Sequence, residues 1–172
     1  AINHMTSVLR ELDMLPREMV IVQEGEHSKA LRRLIYSGYK AKRDKPEEAY
    51  PEFVRANEEF VKAFMNVGAT LVTQPGVEAD DVIAYLVRKI PGQKIIRSND
   101  GDMTTLLEDP ETFQWGFNGM TQANKYGPFP HKFVPLYKSL IGAGDEYKGA
   151  FKFGEKSFLD LLAWGGDKAM PA

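Results

Sequence analysis

An α/β fold, with a parallel sheet covered by helices on both faces, is predicted for this 172-residue chain by three observations. Short apolar runs of strand length alternate with longer stretches in which apolar residues recur at helical spacing. Proline and glycine mark the junctions between them. The order that results is helix, strand, helix, helix, strand, helix, strand, helix, as expected of parallel strands joined by helical crossovers.

Residues 4–13 read as a helix with Met5, Val8, Leu9 and Leu12 on one face, closed off by Pro16. Met19–Val22 is almost wholly apolar, the pattern of a strand buried on both faces, and Glu24 stands just beyond it. Residues 28–36 form a basic helical stretch. Residues 37–51, rich in Lys, Pro and Glu, read as an exposed loop or mobile arch. Pro51–Val67 returns to a helical period through Phe53, Phe60, Val61 and Phe64. Ala69–Val72 is the second strand, and Pro75-Gly76 turns the chain. Val77–Lys89 is a helix with Val77, Val82, Ile83, Leu86 and Val87 inward. Lys94–Arg97 is the third strand, followed by a turn at Ser98-Asn99 and a helix over Met103–Leu107. Thr112–Phe117 alternates as a strand does, and Phe133–Ile141 has helical character. Gly142, Gly144, Gly149 and Gly154 then punctuate a segment that ends in an apolar helix, Ser157–Trp164. Two regions follow: an α/β core over 1–130, including the arch at 37–51, and a glycine-punctuated segment over 131–172.

Composition excludes several chemistries. There is no cysteine, so disulfides, thiolate metal sites and cysteine nucleophiles are absent. No apolar run approaches membrane-spanning length and no signal peptide is visible, so a soluble protein of the cytoplasm, with no membrane partner, is the expectation. The net charge of −2 does not suggest a nucleic-acid partner, but its distribution does. Lys29, Arg32, Arg33, Lys40, Lys42, Arg43 and Lys45 are opposed locally only by Asp44. A solvated helix face is the ordinary explanation of such a run. Tyr36 and Tyr39 interleave with these charges, however, and aromatics there suit stacking on unpaired bases while cations follow phosphates.

Two acidic clusters, Glu78-Ala79-Asp80-Asp81 and Asp100-Gly101-Asp102, lie about 20 residues apart, each beside a strand end. In open α/β sheets ligands bind beyond the carboxyl ends of the strands, where Glu24, Glu78 and Asp100 all fall. Carboxylates converging there repel one another unless divalent cations cancel the charge, and oxygen-only ligands favour Mg²⁺ or Mn²⁺ over zinc. Two such ions make a phosphodiester-cleaving site. Glu78 and Asp81 are three residues apart and share a helix face, so both reach one ion, and Asp80 projects from a neighbouring direction. Each cluster taken alone is explained as well by helix capping. Both together, each after a strand, are not. His4, His27 and His131 are scattered and read as no ligand set, and Trp115 and Trp164 read as packing residues.

Val77-Glu78-Ala79-Asp80-Asp81-Val82-Ile83, followed by Ser98-Asn99-Asp100-Gly101-Asp102-Met103, resembles the paired motifs of the 5′-nuclease family. That family comprises flap endonucleases, phage 5′–3′ exonucleases and the 5′-nuclease domain of DNA polymerase I. Tyr39-Lys40-Ala41-Lys42-Arg43 resembles its Y-K-x-N-R segment at the entrance to a helical arch. Asp145 to Gly149 with Gly154-Glu155-Lys156 resembles its helix–hairpin–helix, which grips duplex phosphates. The resemblance covers residues 5–162 and implies a PIN-like or flap-endonuclease-like fold.

It implies that Glu78, Asp80 and Asp81 hold a catalytic ion, that Asp100 and Asp102 hold a second, and that Asp145 and Glu24 contribute. Lys40 and Asp80 take the catalytic roles, with two Mg²⁺ ions as cofactor and Mn²⁺ able to substitute. Arg32, Lys40, Lys42, Arg43, Lys148, Lys152 and Lys156 contact DNA. The implied partner is DNA with a 5′ flap, a branch or a free 5′ end, bound by a monomer. This sequence begins after the point where the family's opening strand, with its aspartate, should end, either as a fragment or because that strand is lacking, and Gly142-Ala143-Gly144-Asp145 lacks the first aspartate of the family's segment. Both departures are expected to weaken metal binding. Two other readings stay open: a non-catalytic member that binds branched DNA, and a PIN-type ribonuclease.

Overall fold

The computed structural model describes residues 2–40, 51–143 and 147–165. The arch residues 41–50, with Lys42 and Arg43, lie outside them, as does Asp145. The chain divides into two compact units, residues 1–85 and 86–172.

In the first unit, α1 (Ile2–Glu11) leads through a 3₁₀ turn at Pro16–Glu18 into β1 (Val20–Glu24), α2 (Ala30–Ile35), α3 (Pro51–Asn66) and β2 (Thr70–Gln74). Strands β1 and β2 pair in parallel, Val20 opposite Thr70 and Glu24 opposite Gln74. Leu9, Phe64 and Ala69 form the buried core, with Met5, Met14, Met19, Ile21 and Phe60 packed against them. The Phe60 and Phe64 rings, four residues apart on α3, lie 4.9 Å from each other. Burying a side chain such as Phe64 contributes roughly 1.5–3 kcal/mol.

Two expectations change here. β1 runs on to Glu24, so this carboxylate ends the strand and is exposed, instead of following it. Nor is β1 buried on both faces: Val20 is exposed, and Ile21 and Val22 are half-buried. Past β1 the backbone runs so close to the end of β2 that a Cβ on Gly25 would sit 2.0 Å from the Gln74 carbonyl oxygen. Only glycine allows that approach.

Helix α4 (Ala79–Lys89) begins two residues later than its apolar pattern suggests. The Val82 amide donates to the Glu78 carbonyl, which makes Glu78 the residue at which the helix opens.

In the second unit, β3 (Lys94–Arg97) pairs in parallel with β4 (Thr112–Gly116), and β5 (Gly119–Thr121) adds an antiparallel strand. The parallel pairing predicted is thus present in both units, with helices alongside. β5 is additional, and the turn-forming Asn118-Gly119 pair, with Gly119 at φ +93°, is its signal in the sequence. The expected helix after β3 is a 3₁₀ helix, Gly101–Glu108, which begins earlier and takes in Asp102.

A further 3₁₀ turn, His131–Phe133, leads into α5 (Val134–Ile141). Short strands β6 (Gly142–Ala143) and β7 (Tyr147–Lys148) then pair antiparallel before α6 (Glu155–Gly165). Phe129, Phe133, Val134 and Phe158 form this unit's core. The Phe158 ring meets those of Phe129 and Tyr137 edge-on, at 5.0 Å in each case. Trp164, expected to pack, is 88% exposed: it lies in the last turn of α6, past the apolar face that carries Phe158. No helix among the described residues is long and apolar enough to cross a membrane.

Candidate metal and phosphate site

Glu78 lies four residues past the end of β2, at the start of α4. It is a carboxylate only 1% exposed, which is tolerable only if its charge is matched. The matching groups are Arg32 on α2 and Tyr39 and Lys40 in the turn that follows it. Lys40 Nζ donates to Glu78 Oε1 at 2.6 Å. Tyr39 Oη donates to Glu78 Oε2 at 2.8 Å, and the Arg32 guanidinium bonds the same oxygen. Arg32 Nη2 reaches both oxygens of Asp81, at 2.7 and 2.8 Å. Arg32 also donates to Tyr39 Oη at 2.6 Å. The Tyr39 ring meanwhile faces both cations, Arg32 at 5.4 Å and Lys40 at 5.2 Å from its centre.

Burial pushes the Glu78 carboxyl upward, but the hydrogen bonds from Lys40 and Tyr39 and the charges of Arg32 and Lys40 outweigh it and hold the group below its ordinary value. Burial likewise lowers Arg32 and Lys40. Their bonds to Tyr39 and Glu78 and the nearby negative charge outweigh it, so both are raised. Lys40 takes up a left-handed backbone conformation, φ +48°, uncommon for a residue with a side chain.

The capping explanation therefore fails for Glu78, whose two oxygens face Arg32, Tyr39 and Lys40. The three-residue spacing does bring Glu78 and Asp81 to one partner, as the sequence implies, and that partner is a guanidinium. Asp80 is half-buried in the first turn of the same helix. Tyr39, expected to offer its ring to bases, is committed to the carboxylates, whereas Tyr36 is 61% exposed.

In the second unit the capping explanation holds for Asp100. Its side chain accepts from the Asp102 amide at 2.9 Å and caps the 3₁₀ helix. Gln114, nearly buried on β4, fixes this turn by donating to the carbonyls of Ser98 at 2.9 Å and Asp100 at 2.7 Å. Asp102 bonds the Lys138 ammonium and accepts from Tyr126 Oη at 3.2 Å. Burial first, then the charge of Asp102, pushes the Tyr126 phenol up to about 12. A Cβ on Gly101 would lie 2.7 Å from Tyr126 Oη, so the glycine of D-G-D lets the tyrosine close on Asp102.

Sequence reasoning missed Gln114, Tyr126 and Lys138 because no local pattern marks them. Lys148, Lys152 and Lys156 are exposed around β7 and the start of α6. Among the described residues, no three Asp, Glu or His side chains are grouped closely enough to hold one metal ion. The donor chemistry nonetheless suits a hard divalent cation: carboxylate oxygens only, with Glu78 and Asp81 already gathered about a shared positive charge.

Residues 1–129 match the family model described as the N-terminal resolvase-like domain of 5′–3′ exonuclease. A 5′–3′ exonuclease of Aquifex aeolicus is 31% identical over 157 residues, 86% of this chain and 52% of the relative. The chain thus spans about half the length of the curated relatives it matches. In structure it resembles the bacteriophage T5 5′-exonuclease solved with divalent metal ions (zinc), with a TM-score of 0.70 and 22% identity over 99% of this chain and 70% of that one. It also resembles a T5 flap endonuclease complexed with DNA and metal ions, with a TM-score of 0.63 and 20% identity over 96% of this chain and 65% of that one. At these identities the two structures speak for the fold. The extent of the family match decides kinship, and the chain belongs to the 5′–3′ exonuclease family.

Proposed function

We propose that this chain is the nuclease part of a metal-dependent, structure-specific 5′ nuclease that hydrolyses DNA phosphodiesters at a 5′ flap, branch or free 5′ end. The observation that carries this reading is the joining of Glu78 and Asp81 to Arg32 and Lys40 beyond the carboxyl end of a parallel strand. Metal ligands and phosphate-binding cations are then one continuous set of side chains. Relatives solved with divalent metal ions, and with DNA, support carrying those ligands to this chain.

Glu78, Asp80 and Asp81, with Glu24, are the residues we assign to one Mg²⁺, and Asp100 and Asp102, with Asp145, to a second. Mn²⁺ has the same preference for oxygen and would substitute. Divalent cations held there would supply Lewis-acid activation of water and offset of negative charge at the scissile phosphate. Arg32 is suited to bidentate phosphate recognition, and Lys40 to a point contact near the reacting group. Lys42 and Arg43, which follow in sequence, are assigned to DNA contact as well. Lys148, Lys152 and Lys156, on and after the β6–β7 hairpin, would hold the duplex by its backbone, so that recognition is by shape more than by sequence. The protein would act as a cytoplasmic monomer.

Cleavage of a 5′-labelled flap duplex in Mg²⁺, in Mn²⁺ and in EDTA tests this reading on the wild type and on Asp100→Asn. Metal-dependent cutting that falls to the EDTA level in the variant is expected. Cutting that survives EDTA would overturn the metal mechanism, and flap binding without cutting would favour a DNA-binding member of the family.

A further inference from the structure

We propose that Arg32 is a resident counter-ion of the Glu78–Asp81 pair, and that a divalent cation and Arg32 compete for these carboxylates, so that cation binding releases the guanidinium to take a substrate phosphate. The inference rests on the reading of these carboxylates as metal ligands and adds a coupling between metal and phosphate. Its basis is the occupancy of the oxygens. Glu78 Oε1 accepts from Lys40, Glu78 Oε2 from both Arg32 and Tyr39, and the two oxygens of Asp81 from Arg32. A cation that binds both carboxylates therefore either displaces Arg32 from the Asp81 oxygens or shares them with it. Were Arg32 to stay, it would face a doubly charged ion across the same acceptors, in a place where Glu78 is almost wholly shielded from water.

Charge counting points the same way. Arg32 and Lys40 together already match Glu78 and Asp81, so an incoming divalent cation brings surplus positive charge, and Arg32, the cation bonded to both carboxylates, is the one it expels first. Tyr39 positions the device. Its hydroxyl accepts from Arg32 and donates to Glu78, and its ring faces both cations, which keeps the displaced groups beside the carboxylates they leave. A guanidinium set free in this way presents a planar fork that matches a phosphate. By linkage, a phosphate that captures Arg32 tightens the cation, and the cation tightens the phosphate.

The test follows the wild-type chain by NMR of the arginine side-chain nitrogens during titration with Mg²⁺ alone, and measures Mg²⁺ affinity by calorimetry for wild type, Arg32→Met and Arg32→Lys. Loss or large displacement of the Arg32 signals at saturating Mg²⁺ is expected. Affinity should be tighter by on the order of 10-fold in Arg32→Met and close to wild type in Arg32→Lys. Mg²⁺ binding that leaves the Arg32 signals in place overturns the exchange while leaving the nuclease reading intact, and so does unchanged or weaker binding by a folded Arg32→Met. Absence of Mg²⁺ binding overturns both. If Arg32→Met does not fold, the wild-type titration decides alone.

Discussion

Tyr39 Oη donates to Glu78 Oε2 at 2.8 Å, joining the turn after α2 to the opening of α4 across 39 positions of sequence. The tyrosine oxygen itself accepts from Arg32 at 2.6 Å. One hydroxyl thus stands between a buried anion and its principal cation, and removing it exposes how the cluster is held.

Tyr39→Phe keeps the ring beneath the cations and deletes both bonds of the hydroxyl to charged groups, the one it donates to Glu78 and the one it accepts from Arg32. A loss of about 1.5–2 kcal/mol in unfolding free energy is expected, at the lower end of the range for bonds to charged groups because Lys40 and Arg32 remain. Urea unfolding at neutral pH measures it. A change below a few tenths of a kcal/mol would mean that the hydroxyl is not part of the anion's support.

Glu78→Gln leaves Arg32 and Lys40 facing a neutral amide. Breaking a fully buried pair costs about 3–5 kcal/mol. Arg32 keeps 37% of its side chain exposed and Lys40 19%, and water recovers part of that cost. About 2–3 kcal/mol is therefore expected, together with loss of metal-dependent cleavage. Chemical denaturation and the flap assay read the two effects separately.

The pH dependence follows from the directions of these shifts. Glu78 is held below its ordinary value of 4.5, so the unfolded chain binds its proton more readily than the folded chain does. Its contribution is complete above that value and is lost as pH falls through the lower, folded one. Lys40 is raised above its ordinary 10.5 and Tyr126 to about 12, so the stability they contribute is present below the unfolded values and lost as pH rises through the folded ones. Tm plotted against pH should fall on both limbs. Glu78→Gln should flatten the acid limb and also weaken the alkaline one, because Glu78 is part of what raises Lys40, and ultraviolet titration should find one tyrosine ionising near 12.

Gly25→Ala tests the crossing at the end of the parallel pair. Its Cβ would lie 2.0 Å from the Gln74 carbonyl oxygen and 2.4 Å from the carbonyl carbon, both backbone atoms that cannot move aside alone. A loss of about 3 kcal/mol is expected from the strain. Gly101→Ala meets the mobile ends of Tyr126 and Lys125 instead, so about 1 kcal/mol is expected, with the Tyr126 titration moving toward its ordinary 10.0 as the phenol leaves Asp102. Thermal melts and the same ultraviolet titration check both.

Local pattern carried much of this molecule. Apolar runs located β1, β2 and β3 to within two residues at each end, because strand length and helical period are written in neighbouring side chains. The acidic start of α4 and the D-G-D turn were legible for the same reason, as was the basic segment holding Arg32 and Lys40. The extent of β1 was not. Pairing with β2 carries it to Glu24 opposite Gln74, and pairing partners lie far apart in sequence.

What only the tertiary structure decided is which charges meet. Arg32 reaches Glu78 across 46 positions, and Lys138 reaches Asp102 across 36. The sequence determined that carboxylates stand at strand ends and that cations cluster between Lys29 and Lys45. Folding decided that Glu78 is buried and Asp100 is not, and this divides an anion that demands a cation from one satisfied by a backbone amide. Burial is the physical reason: removing water from one carboxylate turns a common helix start into a group whose charge its surroundings must match.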